Sequence, residues 1–349
     1  TDIGVPVSSL WSSDSQLNAI SSQAALYQVA TDKFSEQAPS IRPLENPGLQ
    51  DRLLLFTNPL ALPQGKFALF NASKSNQIAF YNPSSTDKQL NLVLQSFSGS
   101  DPSGPPAVLE NGLLVPLKNG QVVYTEPATG RALSSPFQPP LESGVQATWV
   151  EPGVLGDGKT AILSGSNQKI YKVEISKTMN VVSEADLEQP LRQRFVPLDS
   201  QVIGVSASAA SDSLVSIALD SLKVTNTIPV QGRVTWGPYL VENQIWIHTE
   251  ADGVMCFDQS LGRVWQTNLP SSALANAPVT ADGKAYIAAK EGRVWCIDAA
   301  SGTLAGSINA GEPITGAMVI QGNAIYVGGD EGVVLKLSTS VDAQAEEQP

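Results

Sequence analysis

Apolar and polar residues alternate in short runs along this chain, and the runs recur in step. "QIWIHT" at 244–249, "KAYIAA" at 284–289 and "NAIYVG" at 323–328 place Trp246, Tyr286 and Tyr326 forty residues apart each time. A second alternating run follows a small or acidic turn in each unit. Gly253, Gly292 and Gly332 open "VMCFD", "RVWCID" and "VVLKLS". A period of two is the signature of a strand with one face turned to a core.

The same two-strand phrase extends backwards in weaker form. "ASDSLVSIAL" is anchored at Asp212, "SGSNQKIYKVEI" near Gln168, "KNGQVVYTEPATG" at Gly120 and "KSNQIAFYNPSS" at Asn76. Successive anchors are 44, 48, 44, 41, 39 and 40 residues apart. Seven units with four short strands each predict an all-β fold, a seven-bladed β-propeller of four-stranded antiparallel blades. One such unit cannot bury both of its faces, whereas units packed around an axis can. In the sixth unit the strands, lettered a to d, are expected near 275–281, 283–289, 292–298 and 302–309.

Ring closure adds a constraint. The seventh unit supplies strands a, b and c and then runs into "STSVDAQAEEQP", which is too polar and acidic to pack; residues 341–349 are expected to be a disordered tail. The missing outer strand is assigned to the N-terminal part of the chain. "AALYQVATDKF" at 24–34 is the candidate, with an amphipathic helix over 14–30 as the alternative. Residues 1–23, rich in Ser, then read as a linker, and 24–340 as a single propeller domain.

Composition agrees with many strands and turns. Charged residues are only 15%, and Gly and Pro number 28 and 24. The net charge of −12 argues against nucleic acid as a partner, since binding it requires a basic footprint. No apolar run is long enough for a transmembrane helix. The chain opens at Thr1 without Met, which reads as a trimmed start, with a signal peptide, lipid anchor or membrane helix upstream as possible losses.

The unit "DGKAYIAAKEGRVWCIDAASGTL" resembles the repeat of pyrroloquinoline-quinone-type propellers. Asp282–Gly283, Glu291–Gly292, Trp295, Asp298 and Gly302 fall on the positions of that repeat, as do Asp258 and Gly262 one unit earlier. The closing Trp departs from the pattern: Trp265 comes three residues after Gly262, and Gly306 stands where a Trp is expected after Gly302. The resemblance covers about 230–338. It implies either a quinone-dependent dehydrogenase or a non-enzymatic scaffold such as the lipoprotein subunit of the outer-membrane barrel assembly machinery. It also implies an extracytoplasmic location, in the periplasm or cell envelope. The vicinal Cys pair and the Glu–Asn–Asp calcium set that the dehydrogenases of the family carry have no counterpart here, so no cofactor is expected.

Other chemistry finds little material. Cys256 and Cys296 occupy equivalent places in adjacent units, too far apart for a disulfide, and read as small buried apolar residues. His248 reads as a partly exposed structural residue. Asp258 and Asp298 read as turn residues that accept backbone N–H groups. Trp236, Trp246, Trp265 and Trp295 read as core between blades. "NAS" at 71–73 is a glycosylation sequon only in a secreting eukaryote. There is no nucleotide-binding glycine loop and no calcium-loop motif.

One pattern points outward. The turns between strands b and c all emerge on one end of a propeller. They carry Asp212, Glu250, Asp252, Glu291, Asp330 and Glu331 in the later units, against Lys74 and Lys118 in the first two. This acidic arc suggests a rim for a basic partner segment or a cation. The expectation is a non-enzymatic extracytoplasmic scaffold binding another protein or a small ligand at one face. The alternatives are a quinone-dependent or other small-molecule dehydrogenase using the central channel, and a sensor domain of a larger membrane-anchored protein.

Overall fold

A computed structural model describes residues 1–13, 16–22, 25–31, 60–70, 77–82, 91–94, 100–110, 112–140, 148–269 and 273–339. Among these residues the strands form eight antiparallel sheets, numbered here as blades in chain order. Blade 1 holds Val7–Ser13, Gln16–Ser21 and Leu26–Val29; blade 2 holds Leu60–Leu62, Lys66–Phe70, Gln77–Tyr81 and Asn91–Leu94. Blade 3 holds Ala107–Leu109, Gly112–Pro116 and Val122–Thr125; blade 4 holds Gly153–Val154, Thr160–Ser164, Lys169–Ile175 and Met179–Asp186. Blade 5 holds Leu191–Pro197, Gln201–Ala207, Asp212–Ala218 and Val224–Pro229; blade 6 holds Val234–Val241, Gln244–Thr249, Gly253–Phe257 and Arg263–Thr267. Blade 7 holds Val279–Ala281, Lys284–Ala288, Arg293–Asp298 and Leu304–Asn309; blade 8 holds Ile314–Gln321, Ala324–Gly329 and Val334–Ser338.

The sheets close into a ring because every neighbouring pair shares an apolar seam. Leu113 and Val115 of blade 3 meet Phe70 and Ile78 of blade 2. Further seams join blades 3 and 4 around Trp149 and Tyr171, blades 4 and 5 around Ile162 and Phe195, and blades 5 and 6 around Ile203 and Phe257. Trp246, Trp265 and Trp295 fill the seam between blades 6 and 7, and Tyr286, Met318 and Ile325 the next. Leu10 and Leu17 of blade 1 pack on Tyr326 of blade 8. Trp11 meets Phe67 of blade 2 at 5.6 Å between ring centroids, and the circuit is complete. The first strands of neighbouring blades touch, so strand a lines the axis. Burial falls off outwards: Gly253–Phe257 is buried throughout, while the outer strand Met179–Asp186 is largely exposed.

Among the described residues the blades number eight, where seven were expected. The extra blade is built from the Ser-rich stretch expected to be linker. Its polar residues are inside: Ser9, Asn18, Ser21 and Ser22 are all buried. Small hydroxyl side chains fit where blades approach closely, and they hide the alternation that marks a strand. The strand expected over 24–34 exists in part as Leu26–Val29, but it pairs with Gln16–Ser21 of its own blade and not with blade 8.

The N-terminal part of the chain does close the ring, through residues 1–3. The Thr1 nitrogen donates to Val334 O at 2.8 Å, Val334 N donates to Thr1 O at 2.7 Å, and Ile3 N donates to Gly332 O at 2.9 Å. Thr1–Ile3 thus supply the outer strand that blade 8 lacks. Val7 then starts the innermost strand of blade 1, and Thr315 Oγ1 donates to Val7 O at 2.8 Å. Gly328 permits this approach, since a Cβ there would lie 2.5 Å from Val7 Cγ1.

Five of the seven repeat anchors have a common backbone reason, which Asp212 does not share. Gly120, Gly253, Gly292 and Gly332 take positive φ, and so does Gln168. The turn into strand c needs the left-handed region, which glycine enters without steric cost. Asn76 and the sequon at 71–73 lie outside the described residues, as does the tail at 341–349.

Deleting residues 1–4 is expected to remove three backbone hydrogen bonds and the burial of Ile3, at a cost of about 3 kcal/mol. Urea unfolding of the truncated chain should show a lower midpoint, with the first and eighth blades gaining amide exchange before the others.

Candidate functional site

The b–c turns and the links from strand d to the next strand a share one end of the ring. A cavity of about 830 Å³ opens there, walled by the starts of the inner strands and lined by Trp149, Glu151, Arg192, Arg194, Trp236 and Tyr239 among others. The inner strand of blade 5 is not regular where it borders this space. Gln193 takes a φ of 64°, and the pairing register shifts between Arg192 and Val196. Such a bulge re-aims side chains at the rim of a sheet. Both arginines of "RQR" line the cavity as a result.

The two arginines have different surroundings. Arg192 donates from Nη2 to Val234 O at 3.3 Å and pairs through Nε with Asp212 at 3.5 Å. Arg194 lies over the Tyr239 ring, 5.1 Å from its centroid, with Glu151 Oε1 3.6 Å from Nη2. Burial pushes the Glu151 carboxyl up, and Arg194 pulls it back in part. Burial also raises the Tyr239 phenol, against the charge and a hydrogen bond of Arg194.

The acidic residues picked out from the sequence divide into two groups. Asp212 does not belong to an exposed rim. It is wholly buried, takes Arg233 Nη1 at 2.8 Å and receives the Val234 N–H at 2.8 Å. It ties the b–c turn of blade 5 to the start of blade 6. Glu250, Glu291, Asp330 and Glu331 are exposed on the b–c turns of blades 6, 7 and 8. Asp252, half-buried beside them, accepts the Gln231 N–H at 3.0 Å. Beneath the turn of blade 8 lies an acid the sequence did not single out. Glu312 is buried and accepts the Glu331 N–H at 2.8 Å; burial, with the charges of Glu331 and Asp330, raises its carboxyl. On blade 3, Lys118 pairs with Asp101 at 3.5 Å; Lys74 lies outside the described residues.

Other residues fall where the pattern placed them, with one exception. Asp258 accepts the Ser260 and Gly262 N–H groups at 2.8 Å each, and Asp298 accepts the Ser301 N–H at 2.8 Å, both in c–d turns on the opposite end. Trp236, Trp246, Trp265 and Trp295 lie in the seam between blades 6 and 7. The displaced Trp265 packs on Gly302 of the next blade, where a Cβ would fall 2.5 Å from the ring. His248 is the exception: it is buried rather than partly exposed. Its Nδ1 sits 2.7 Å from Thr235 Oγ1, and burial lowers its pKa. Cys256 and Cys296 are buried free thiols, and burial pushes Cys256 up to about 12.

The residues missed in the sequence were Glu151, Arg194 and Tyr239. Two arginines at i and i+2 on an inner strand were the available signal.

Replacing Asp212 by Ala is expected to strand two guanidinium groups and a buried N–H, costing about 3 kcal/mol in urea unfolding. Neither thiol should react with Ellman's reagent at pH 8 in the native protein, while both should react once it is denatured. Above about pH 8.5 an unfolded thiol ionises and the folded Cys256 does not, so its contribution to stability declines as pH climbs towards 12.

Comparison with known proteins agrees with the ring. Residues 250–344 match the family model PQQ_2, described as outer membrane protein assembly factor BamB. No curated protein matches the chain in sequence. A crystal structure of BamB from Moraxella catarrhalis superposes with a TM-score of 0.62 at 13% identity, covering 96% of this chain and 98% of that one. The computationally designed Ika8 protein gives 0.63 at 10% identity over 97% of each chain. Sqt1 from Saccharomyces cerevisiae gives 0.69 at 10% identity, covering 97% of this chain and 98% of that one. At these identities the structures speak for the fold alone. Taken together, residues 250–344 are similar to the pyrroloquinoline-quinone-like repeat, and the chain as a whole shares the propeller fold of these structures.

Proposed function

We propose that the chain is a non-enzymatic interaction scaffold of the cell envelope that engages a protein partner through the end of the ring bearing the b–c turns. The observation that carries this reading is the convergence of two features on that end. The central cavity opens there, and the acidic turns of three successive blades lie on the same end, with Glu250, Glu291, Asp330 and Glu331 exposed. Loops held by a rigid ring present a fixed constellation, which suits recognition of a partner at little cost in ordering. Charge at such a rim mainly steers encounter and selects a complementary surface, here a basic one. The assembly-factor name of the matched family supports an envelope setting for this chain as well.

The test is a crosslinked capture from the envelope fraction of the source cell, with the wild type beside a Glu250→Lys, Glu291→Lys, Glu331→Lys variant. The reading expects one dominant envelope partner with the wild type, and at least about tenfold less of it with the variant at 0.15 M salt. Equal recovery with both proteins would remove the acidic turns from the interface. Recovery of the native chain in the cytosolic fraction would refute the envelope setting.

A further inference from the structure

Within that interaction face the cavity has a chemistry of its own. The chain as a whole is strongly acidic, at a net −12. Among the described residues, the charged ones lining the cavity are nevertheless Arg192, Arg194 and Lys290 against Glu151 alone. A cationic mouth thus sits inside an anionic rim. The reversal is local, and at the dielectric of a cleft it is felt mainly by a group that enters it.

Beyond its hydrogen bond to Tyr239, Arg194 is the residue with donors to offer. The guanidinium of Arg192 is already committed to Val234 O and the buried Asp212. Arg194 has its nearest carboxylate, Glu151, at 3.6 Å, well beyond the ~2.7–2.9 Å of a charge-assisted hydrogen bond. Among the described residues its Nε is buried and has no hydrogen-bond partner. The same holds for the indole Nε1 of Trp149, a residue 5% exposed that lines the same cavity. Buried donors without acceptors are uncommon, and these two belong to residues that line one cavity. Trp236 and Tyr239 give that cavity aromatic surface beside the guanidinium.

We propose that the cavity is a carboxylate-binding site that takes the free carboxylate end of a partner's peptide chain, its last side chain against the aromatic wall and its preceding basic residues on the acidic rim. Arg194 supplies the fork for the carboxylate, Glu151 is the resting counter-ion that the carboxylate displaces, and Lys290 stands at the entrance. The volume of about 830 Å³ suits a chain end of a few residues. The proposal rests on the scaffold reading, and its test separates the two.

The probes are acetyl-Lys-Lys-Gly-Trp with a free carboxylate, the same peptide as its amide, and N-acetyltryptophan, each titrated by calorimetry. The free-acid peptide is expected to bind at least about tenfold more tightly than its amide, and about tenfold more tightly than N-acetyltryptophan. Arg194→Met, checked for native unfolding behaviour, should abolish the acid-over-amide preference. Glu151→Gln should raise the affinity for the acid several-fold, a gain that a purely structural Arg194–Glu151 pair does not produce. If Arg194→Met fails to fold, Glu151→Gln and Arg194→Lys carry the test. The Lys-for-Glu variant of the rim should weaken the peptide and leave the acid-over-amide preference in place. Equal affinity for acid and amide, no binding at 5 mM, or no gain with Glu151→Gln would overturn the proposal. Equal affinity for N-acetyltryptophan and the peptide would assign the cavity to a small acid and overturn it too. Carboxylate selectivity that survives while envelope capture fails would count against the scaffold reading alone.

Discussion

Everything in this molecule depends on apolar packing between blades that cannot stand alone. A sheet of three or four short strands with both faces apolar has nowhere in water to put them. Eight such sheets shield one another only if the circle closes, so the last contact secures all the others. That contact is made between Leu10, Leu17 and Tyr326 and by the pairing of Thr1–Ile3 with Val334. Residues 1–3 and the strand Val334–Ser338 meet in one blade, and opening that blade exposes an apolar face and a strand edge together.

The ring also explains where recognition can reside. Strand interiors are committed to the seams, and side chains such as Trp246 and Tyr286 are spent on packing. The turns and the axial mouth are left for partners. Their polarity is layered, with carboxylates of blades 6 to 8 outside and arginines of blade 5 within. Asp212 shows how neighbours sort these charges. It belongs to the same family of turns as Glu250 and Glu291, yet two arginines and a backbone N–H turn it into a buried clamp between blades. A bulge at Gln193 does the converse and brings Arg194 to the cavity from a strand otherwise given to the core.

Much of the fold was legible because the later blades obey local rules strictly. Positive-φ anchors at Gly253, Gly292 and Gly332, the Asp turns at Asp258 and Asp298, and the alternating strands between them are properties of short segments. Blade 1 escaped because its inward positions hold Ser9, Asn18 and Ser21, which have no hydrophobic periodicity to detect. Of the site, the acidic turns were legible as turns. Glu151 and Tyr239 were not, since they come from blades 4 and 6 and meet Arg194 of blade 5 only at the axis.

The amino-acid sequence by itself determined the unit: its strands, its turns and the need to stack, all set by side-chain period and backbone sterics within about forty residues. The tertiary structure decided the number of blades, which residues seal the ring, and which charges face a partner. Those outcomes depend on contacts between residues far apart in the chain, where burial can make a serine a core residue and an aspartate a clamp.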